Sequence, residues 1–427
     1  MPNFSTTRTE IATIPVAELA QRFGTPTFVY DAAQIVRRLE DLAAFDHVRY
    51  AQKACSNLAI VDLVRRHGAL VDAVSANEVR RALAAGYSVQ AAYSVETTPP
   101  PVVYTADIFD ADALELVVEQ GVHVNCGSAD MIDQYGRLMP GRDITLRINP
   151  GFGHGHSQKT NTGGPQSKHG IWHEQLDDCL ARAKRYDLTV SGLHMHIGSG
   201  ADMEHLSQVC AAMEKVALAA GESVRSISAG GGLPIAYRED ESEVDIAAYH
   251  ALWDATRKRL EAAFGHPVDL EIEPGRYIAA ESGYLVTEIR AIKQQAENTF
   301  YLVDAGFNNL ARPILYGAYH HISIVPGDGR TDRPEQDVIL GGPLCESGDI
   351  FTQEEGGVVI KRRLPVASVG ELLVIECAGA YGSVMGSNYN SRPMAAEVLV
   401  QDGQARLIRA RQTFENLVRD ESIPAAE

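Results

Sequence analysis

Short runs rich in β-branched residues alternate with longer helical patterns from about residue 27 to residue 290, and this alternation strongly constrains the fold. Such repeats predict βα units whose strands share one parallel sheet. The strand candidates are Thr27 to Tyr30, Val48 to Gln52, Leu70 to Ala73, Val102 to Tyr104, His123 to Asn125, Thr145 to Ile148, Val190 to Ile197, Ser226 to Ser228 and Asp269 to Ile272. We therefore expect an α/β barrel.

After about residue 285 the pattern changes to short strands without long helices between them. The candidates there are Tyr301 to Val303, Val338 to Leu340, Val358 to Arg362, Leu372 to Glu376 and Ala396 to Val400. A chain of 427 residues with 45% hydrophobic content is long enough for two such domains. We expect a separate β domain after the barrel.

Composition excludes several classes of protein. A formal net charge of -18 argues against a nucleic-acid binder, which needs a clustered basic surface. No run approaches the ~20 apolar residues of a membrane span, and the first residues lack the basic and apolar pattern of a signal peptide. The six cysteines are scattered without a CxxC pair, which is typical of reduced thiols in a cytoplasm.

Reactive residue types follow three of the predicted barrel strands. Lys53 comes directly after one strand, Gly230 to Gly232 follow a second, and Glu273-Pro274-Gly275-Arg276 follows a third. Pyridoxal phosphate requires an amine for a Schiff base, donors for its phosphate and an anion beside its ring nitrogen. It also requires an acid to return a proton, for which Cys345 is the candidate. These residues predict a pyridoxal-phosphate enzyme.

Each of these residues also has an ordinary structural explanation. A lysine after a strand is usually a solvated strand end, a glycine triplet also occurs in turns, and Glu273 alone would fit a structural ion pair equally well. For Lys53 to react, its amine must be partly desolvated, which the end of an interior strand would provide.

His194 and His196 leave a rival interpretation open. Two histidines at i and i+2 of a strand point to one face and form half of a common hydrolase metal site. A buried, hydrogen-bonded pair is the structural alternative. A metal site, however, would not explain Lys53 or the glycine cup, the name we give to Gly230 to Gly232 as a possible phosphate-binding turn. We predict no metal.

The chain resembles the diaminopimelate decarboxylases, within the alanine-racemase-like pyridoxal enzymes, from about residue 15 to residue 415. The resemblance rests on these segments: 50–54, 192–199, 230–232, 273–276, 303–306, 312–313, 315–317, 345–349, 379–382 and 387–393. It implies a (β/α)8 TIM-type barrel over residues 27–285. It also implies a β domain, of sandwich or barrel-like form, that combines residues 1–26 with residues 286–427. Members work as homodimers whose active sites are shared across the interface.

The resemblance also implies roles for individual residues. Lys53 would be the Schiff-base lysine, His196 would stack on the ring, and Glu273 would pair with the ring nitrogen. The phosphate would lie among Ser199, Gly231, Gly232, Gly275, Arg276 and Tyr381. The substrate would be held by Arg276, Arg312, Tyr316, Glu346 and Tyr381, and Cys345 of the neighbouring chain would donate the proton.

Substrate choice follows from charge at the far end of the site. A second amino-acid head needs a cation for its carboxylate, which Arg312 with Tyr316 can supply, and an anion for its ammonium, which Glu346 can supply. This combination favours decarboxylation of meso-diaminopimelate to L-lysine. The alternatives are a decarboxylase of ornithine, arginine or D-lysine, a metal hydrolase, and a non-catalytic pyridoxal-phosphate-binding protein.

Overall fold

Contacts in the computed structural model divide the chain into two compact units, and the structure describes residues 4–89, 99–153, 162–196 and 202–424. The barrel unit comprises Val36–Ile235 and Glu243–Ile278. The sheet unit comprises Met1–Ile35, Ala236–Ser242 and Ala279–Glu427.

Strands and helices alternate through the barrel unit, whereas strands predominate in the sheet unit. The strands are β1 (Glu10–Ile11), β2 (Ile14–Pro15), β3 (Thr27–Asp31), β4 (His47–Ala51), β5 (Leu70–Ala73), β6 (Val102–Ala106), β7 (His123–Cys126), β8 (Asp143–Asn149), β9 (Ile171–Trp172), β10 (Thr189–His194), β11 (Ser226–Ser228), β12 (Asp269–Ile272), β13 (Gly283–Gln295), β14 (Asn298–Val303), β15 (Ile322–Val325), β16 (Glu335–Gly341), β17 (Arg362–Pro365), β18 (Leu372–Ile375), β19 (Ala396–Gln401) and β20 (Gln404–Arg409). The helices are α1 (Val16–Phe23), α2 (Ala32–Glu40), α3 (Leu58–Arg66), α4 (Ala76–Ala84), α5 (Ala111–Gln120), α6 (Ala129–Leu138), α7 (Leu176–Arg185), α8 (Met203–Ala220), α9 (Ile246–Phe264), α10 (Arg276–Ala279), α11 (Arg312–Tyr316) and α12 (Phe414–Val418).

Several barrel helices begin where a short polar side chain accepts hydrogen bonds from the first helical turn. These caps are Asn57 for α3, Ser75 for α4, Asp110 for α5, Asp202 for α8 and Asp245 for α9. Each cap of this kind contributes about 1 kcal/mol to stability. The local sequence therefore determines where these helices start.

Eight parallel strands close into a barrel. Their order is β4-β5-β6-β7-β8-β10-β11-β12, and β12 pairs with β4 through Glu271 opposite His47 and Ile272 opposite Val48. The short strand β9 adds to β8. The predicted parallel barrel is confirmed, and eight of the nine strand candidates belong to it.

The remaining candidate, Thr27 to Tyr30, was wrongly assigned to the barrel. The strand forms as β3, but it pairs antiparallel with β13 and parallel with β19 in the sheet unit. The contact boundary follows Ile35 instead of preceding Thr27. All five residues of β3 are at least partly buried, so its sequence resembles that of a barrel strand although its partners differ.

The sheet unit is organised around the long strand β13. Its first half pairs with β3 and β18, and its second half pairs with β14. The complete order is β17-β16-β14-β13-β3-β19-β20, with β15 joined through β18. A core cluster that includes Ile11, Val29, Val286, Val374 and Val398 packs against it. The predicted union of the N-terminal strand with a C-terminal sheet domain is confirmed.

Two details of the C-terminal prediction were wrong. The strand expected over Val358 to Arg362 begins instead at Arg362, because Val358 and Val359 are exposed and follow a 3-10 turn over residues 355–357. The long strand β13 was not predicted as a strand. Within the described parts of the chain, no helix has both the length and the apolar character needed to cross a lipid bilayer.

Candidate active site

Four neighbouring barrel strands carry the predicted cofactor-binding residues at their carboxyl ends. In barrel order, β10 leads to His196, β11 to Gly231 and Gly232, β12 to Glu273, Gly275 and Arg276, and β4 to Lys53. Because adjacent parallel strands end at one face, these seven residues share one edge of the barrel unit.

Glu273 is a buried anion. Its Oε2 atom accepts a hydrogen bond from His194 Nε2 at 2.8 Å, and its Oε1 atom accepts one from Ser228 Oγ at 3.3 Å. Burial acts to raise the pKa of Glu273, but His194 and the buried Arg49 outweigh it and lower that pKa to about 2. A carboxylate in this setting stays charged at neutral pH.

His196 is held neutral by its surroundings. Burial, Arg147 and Lys53 all lower its pKa well below the usual value for histidine. Its Nδ1 atom accepts a hydrogen bond from the Gly231 N–H at 3.0 Å, so the ring proton belongs on Nε2. A neutral imidazole fixed by a backbone donor can lie flat against an aromatic ring.

The glycines beside these side chains bring bare backbone close to the barrel edge. A Cβ atom on Gly231 would lie 2.5 Å from the Glu273 carbonyl oxygen, and one on Gly275 would lie 3.0 Å from the Ala51 carbonyl oxygen. Any side chain at Gly231 would therefore displace the β12 terminus. Bare backbone at strand ends is the arrangement that phosphate binding uses, although the Gly231 N–H itself donates to His196 Nδ1.

Lys53 occupies a single 3-10 turn, Gln52–Ala54, directly after β4. Gln52 and Ala54 are buried, and Gln52 Nε2 donates to the Glu78 carbonyl at 3.0 Å, whereas the Lys53 side chain is exposed. The expected desolvation of Lys53 is therefore absent from the barrel edge itself. The turn directs the Lys53 side chain away from the end of β4, and the buried Gln52 and Ala54 anchor the turn.

A second buried carboxyl group, Asp72 at the end of β5, lies close enough to Lys53 and Glu273 to respond to both charges. Burial and the charge of Glu273 raise the pKa of Asp72 to about 7, although Lys53 opposes them. The end of β12 therefore carries a firmly charged carboxylate, Glu273, and the end of β5 carries a carboxyl group that titrates near neutral pH, Asp72.

Two predicted features fall wholly or partly outside the described residues. Ser199 lies in the undescribed stretch 197–201. The stretch Gly153 to Gly170, whose composition predicts a loop long enough to be a lid, includes the undescribed stretch 154–161. The later part of that loop is anchored to the barrel, because His169 Nδ1 donates to Asp107 Oδ2 at 2.6 Å and the Gly170 N–H donates to Asp107 Oδ1 at 2.8 Å.

The other predicted residues lie in the sheet unit. Arg312 and Tyr316 begin and end α11, Cys345 and Glu346 follow β16, and Tyr381 lies between β18 and β19. Arg312 is buried, Tyr316 and Tyr381 are half-buried, and Cys345 and Glu346 are exposed.

Asp349 organises the loop that carries Cys345. Its two carboxylate oxygens accept hydrogen bonds from the Leu344 and Phe307 N–H groups, each at 2.8 Å. The Cys345 N–H donates to Asn390 Oδ1 at 2.7 Å. The thiol is therefore presented on a fixed backbone. Cys345 is the one exposed cysteine, and the other five are buried.

Tyr381 adopts a strained backbone conformation, with φ at 57°. Bulky residues rarely occupy the left-handed region, and such strain of about 1–3 kcal/mol persists mainly at functional sites.

Sequence reasoning did not assign roles to His194, Arg49, Asp72 and Asp349. The i, i+2 spacing of the histidines was the available signal for His194, but it was interpreted as a possible metal site. In the described parts of the chain, no group of three or more His, Cys, Asp or Glu side chains is arranged to hold a metal ion.

A barrel whose strand ends present a lysine, a glycine cup and a buried glutamate defines the cofactor-binding half of a pyridoxal enzyme. The family model described as "Pyridoxal-dependent decarboxylase, pyridoxal binding domain" matches residues 32–280. The chain belongs to the family of pyridoxal-dependent decarboxylases, whose cofactor is pyridoxal 5'-phosphate.

Its relatives within that family are more specific. A diaminopimelate decarboxylase of Escherichia coli strain K12 is 51% identical over 414 residues, which cover 96% of this chain and 97% of the relative. A diaminopimelate decarboxylase of Streptomyces coelicolor is 52% identical over 410 residues, which cover 96% of this chain and 92% of that relative. The chain in a crystal structure of a diaminopimelate decarboxylase is 50% identical, with a TM-score of 0.92. The match covers 97% of this chain and 98% of that chain.

Proposed function

We propose that this enzyme decarboxylates meso-2,6-diaminopimelate to L-lysine and CO2, the last step of lysine biosynthesis. The similarity to diaminopimelate decarboxylases over 96% of the chain supports the reaction. One observation in the sheet unit supports the substrate: Arg312 is a buried cation, 5% exposed, and no described carboxylate forms an ion pair with it.

The barrel edge fits pyridoxal phosphate. Its donor set combines an exposed primary amine on Lys53, a glycine cup too tight for a Cβ atom, and a carboxylate with a pKa of about 2 at Glu273. Lys53 would hold the cofactor through its amine, and Glu273 would accept a hydrogen bond from the ring nitrogen. Gly231, Gly232, Gly275, Arg276, Ser199 and Tyr381 would hold the phosphate.

The bound cofactor supplies an electron sink for the pair that the departing carboxylate leaves behind. The chain's own groups control charge and protons around it. Glu273, an anion at neutral pH, would hold a proton on the ring nitrogen. His196, neutral and fixed by the Gly231 N–H, would restrict movement of the ring, and Cys345 Sγ would carry the proton that replaces CO2.

Arg312 decides substrate choice in this proposal. A buried guanidinium is costly unless it meets an anion, and the carboxylate at the far end of diaminopimelate is an anion of the right kind. Tyr316, on the same short helix, would share that carboxylate, and the exposed Glu346 would accept the distal ammonium group. Ornithine and other diamino acids with a single carboxylate would leave Arg312 without an anionic partner.

We also propose a cytoplasmic homodimer whose active sites are shared between chains. In the sheet unit, Ile314, Leu315, Val384 and Tyr389 are exposed apolar side chains. Ile314 adjoins Gly348, and Tyr389 precedes Asn390, which accepts the Cys345 N–H, so two of these apolar residues lie on segments next to the predicted proton donor. We propose that these side chains form part of the interface between the two chains. Six unpaired cysteines support a reducing compartment.

The test is lysine formation from meso-diaminopimelate by purified protein supplied with pyridoxal phosphate. We expect stoichiometric lysine and CO2, abolished by Lys53→Ala and unaffected by Lys258→Ala, which alters an exposed lysine of α9 that pairs with Asp254. Absence of lysine would refute the proposed reaction. Preferential turnover of ornithine, arginine or D-lysine would then identify the alternative substrate.

A further inference from the structure

The guanidinium of Arg312 is held on two sides by residues of the sheet unit. Its Cζ atom lies 4.8 Å from the centre of the Tyr237 ring, and its Nη1 atom lies 3.0 Å from His320 Nε2. Tyr237 belongs to the segment Ala236–Ser242, which contacts the sheet unit although barrel residues flank it in sequence.

The hydrogen bonds of His320 fix its protonation. His320 Nδ1 lies 2.9 Å from the Glu376 carbonyl oxygen, which can only accept, so Nδ1 carries the proton. A guanidinium can only donate, so Nε2 must be the unprotonated acceptor for Arg312. His320 is therefore a neutral imidazole, 3% exposed, with one nitrogen on the backbone and the other on Arg312.

Tyr237 and Glu376 also restrain His320 itself. Its ring meets the Tyr237 ring edge-on, with centres 5.6 Å apart and planes at 79°. The side chain of Glu376 is held by Arg8, whose Nε and Nη2 atoms each donate at 2.9 Å. The carbonyl that orients His320 thus belongs to an anchored residue.

We propose that His320 and Tyr237 are positioning residues that fix Arg312 for the distal carboxylate of the substrate, an inference that rests on the proposed function. A free arginine side chain loses rotamer entropy when it is immobilised. Because Tyr237 and His320 immobilise Arg312 during folding, the substrate does not bear that cost on binding. Neither residue needs to touch the reacting atoms.

The test compares three variants of the cofactor-loaded enzyme. His320→Phe keeps the ring but removes both nitrogens, so KM for meso-diaminopimelate should rise about tenfold or more while kcat changes little. His320→Gln keeps one donor and one acceptor and should recover most of the loss. His321→Phe is the matched control, because the His321 Nε2 atom contacts the Ser5 carbonyl and not Arg312; its KM should stay unchanged.

Equilibrium binding provides a readout that does not depend on turnover. L-Lysine retains the distal carboxylate, whereas cadaverine has none, so His320→Phe should weaken lysine binding about tenfold and leave cadaverine binding unchanged. Equal weakening of both ligands, or equal effects of His320→Phe and His321→Phe, would overturn the inference. If the unsubstituted enzyme failed to decarboxylate meso-diaminopimelate, the proposed function would be wrong. The binding affinities of L-lysine and cadaverine for His320→Phe would still decide the role of His320.

Discussion

Asp72 shows how one buried carboxyl group can make stability depend on pH. Its side chain is 3% exposed, and burial together with Glu273 raises its pKa from 3.8 to about 7. The folded chain therefore holds a proton on Asp72 between those two values that the unfolded chain releases. Because the folded state binds more protons, stability falls as pH rises through this interval and levels off above about pH 7.

Asp72→Asn should remove this pH-dependent loss, because an amide is neutral at every pH. We expect the variant to gain stability relative to the unsubstituted chain as pH rises from 5 to 7, with little further gain at pH 8. Urea unfolding of the cofactor-free protein at each pH measures the difference. Asp254→Asn is the control, because hydrogen bonds from Lys258 and Arg257 lower the pKa of the half-buried Asp254, so this carboxylate stays charged over the range and its removal should shift stability by a constant amount. A constant difference across the series would contradict the assigned pKa.

The sequence predicted the reactive residue types but not the groups that control their charge. Lys53, Glu273 and the glycines follow strands directly, so their shared edge was predictable from barrel topology. His194 and Arg49 act through the barrel interior, across strands distant in sequence, and no local pattern shows which carboxylate they face. The same holds for Asp349, which joins two loops through backbone N–H groups.

Among the connecting elements, the turn after β11 depends on Gly231. Gly231→Ala would place a methyl group 2.5 Å from the Glu273 carbonyl, and overpacking of this kind costs about 1–3 kcal/mol. We expect pyridoxal phosphate affinity to fall by roughly tenfold or more, measured by absorbance titration of the cofactor-free protein.

Gly327→Ala is the matched control for that turn. Its added Cβ would meet only the flexible end of the Glu371 side chain, at 3.3 Å, so cofactor affinity should not change. If the unsubstituted chain, Gly231→Ala and Gly327→Ala bound pyridoxal phosphate with equal affinity, the turn after β11 would tolerate a side chain and would not support the phosphate.

Strand β3 shows where element prediction reaches its limit. Periodicity identified the strand, but a buried strand with apolar residues on both faces suits a parallel barrel and an interior position of another sheet equally well. Its partners β13 and β19 lie hundreds of residues away, and only tertiary contacts select them. The thirteen residues of β13 were missed because Arg290 and the last three residues, Lys293 to Gln295, are polar and exposed.

At the scale of the whole molecule, the proposed dimer can be tested by mixing inactive chains. If Lys53 of one chain works with Cys345 of another, Lys53→Ala and Cys345→Ala chains should together form one intact site per mixed dimer. After free exchange, activity should recover to roughly a quarter of the unsubstituted level. A mixture of Lys53→Ala with Lys53→Arg should recover none, and failure of the first mixture would place both residues on one chain.

The position of β3 between β13 and β19 also affects biosynthesis of the chain. Ribosomes add roughly 5–20 residues per second, so β3 leaves the ribosome on the order of tens of seconds before β19 follows it. During that interval β3 has unpaired backbone groups along the edge that β19 later covers, a state that favours aggregation. The yield of folded enzyme should therefore depend on translation rate and on chaperones that shield nascent strands.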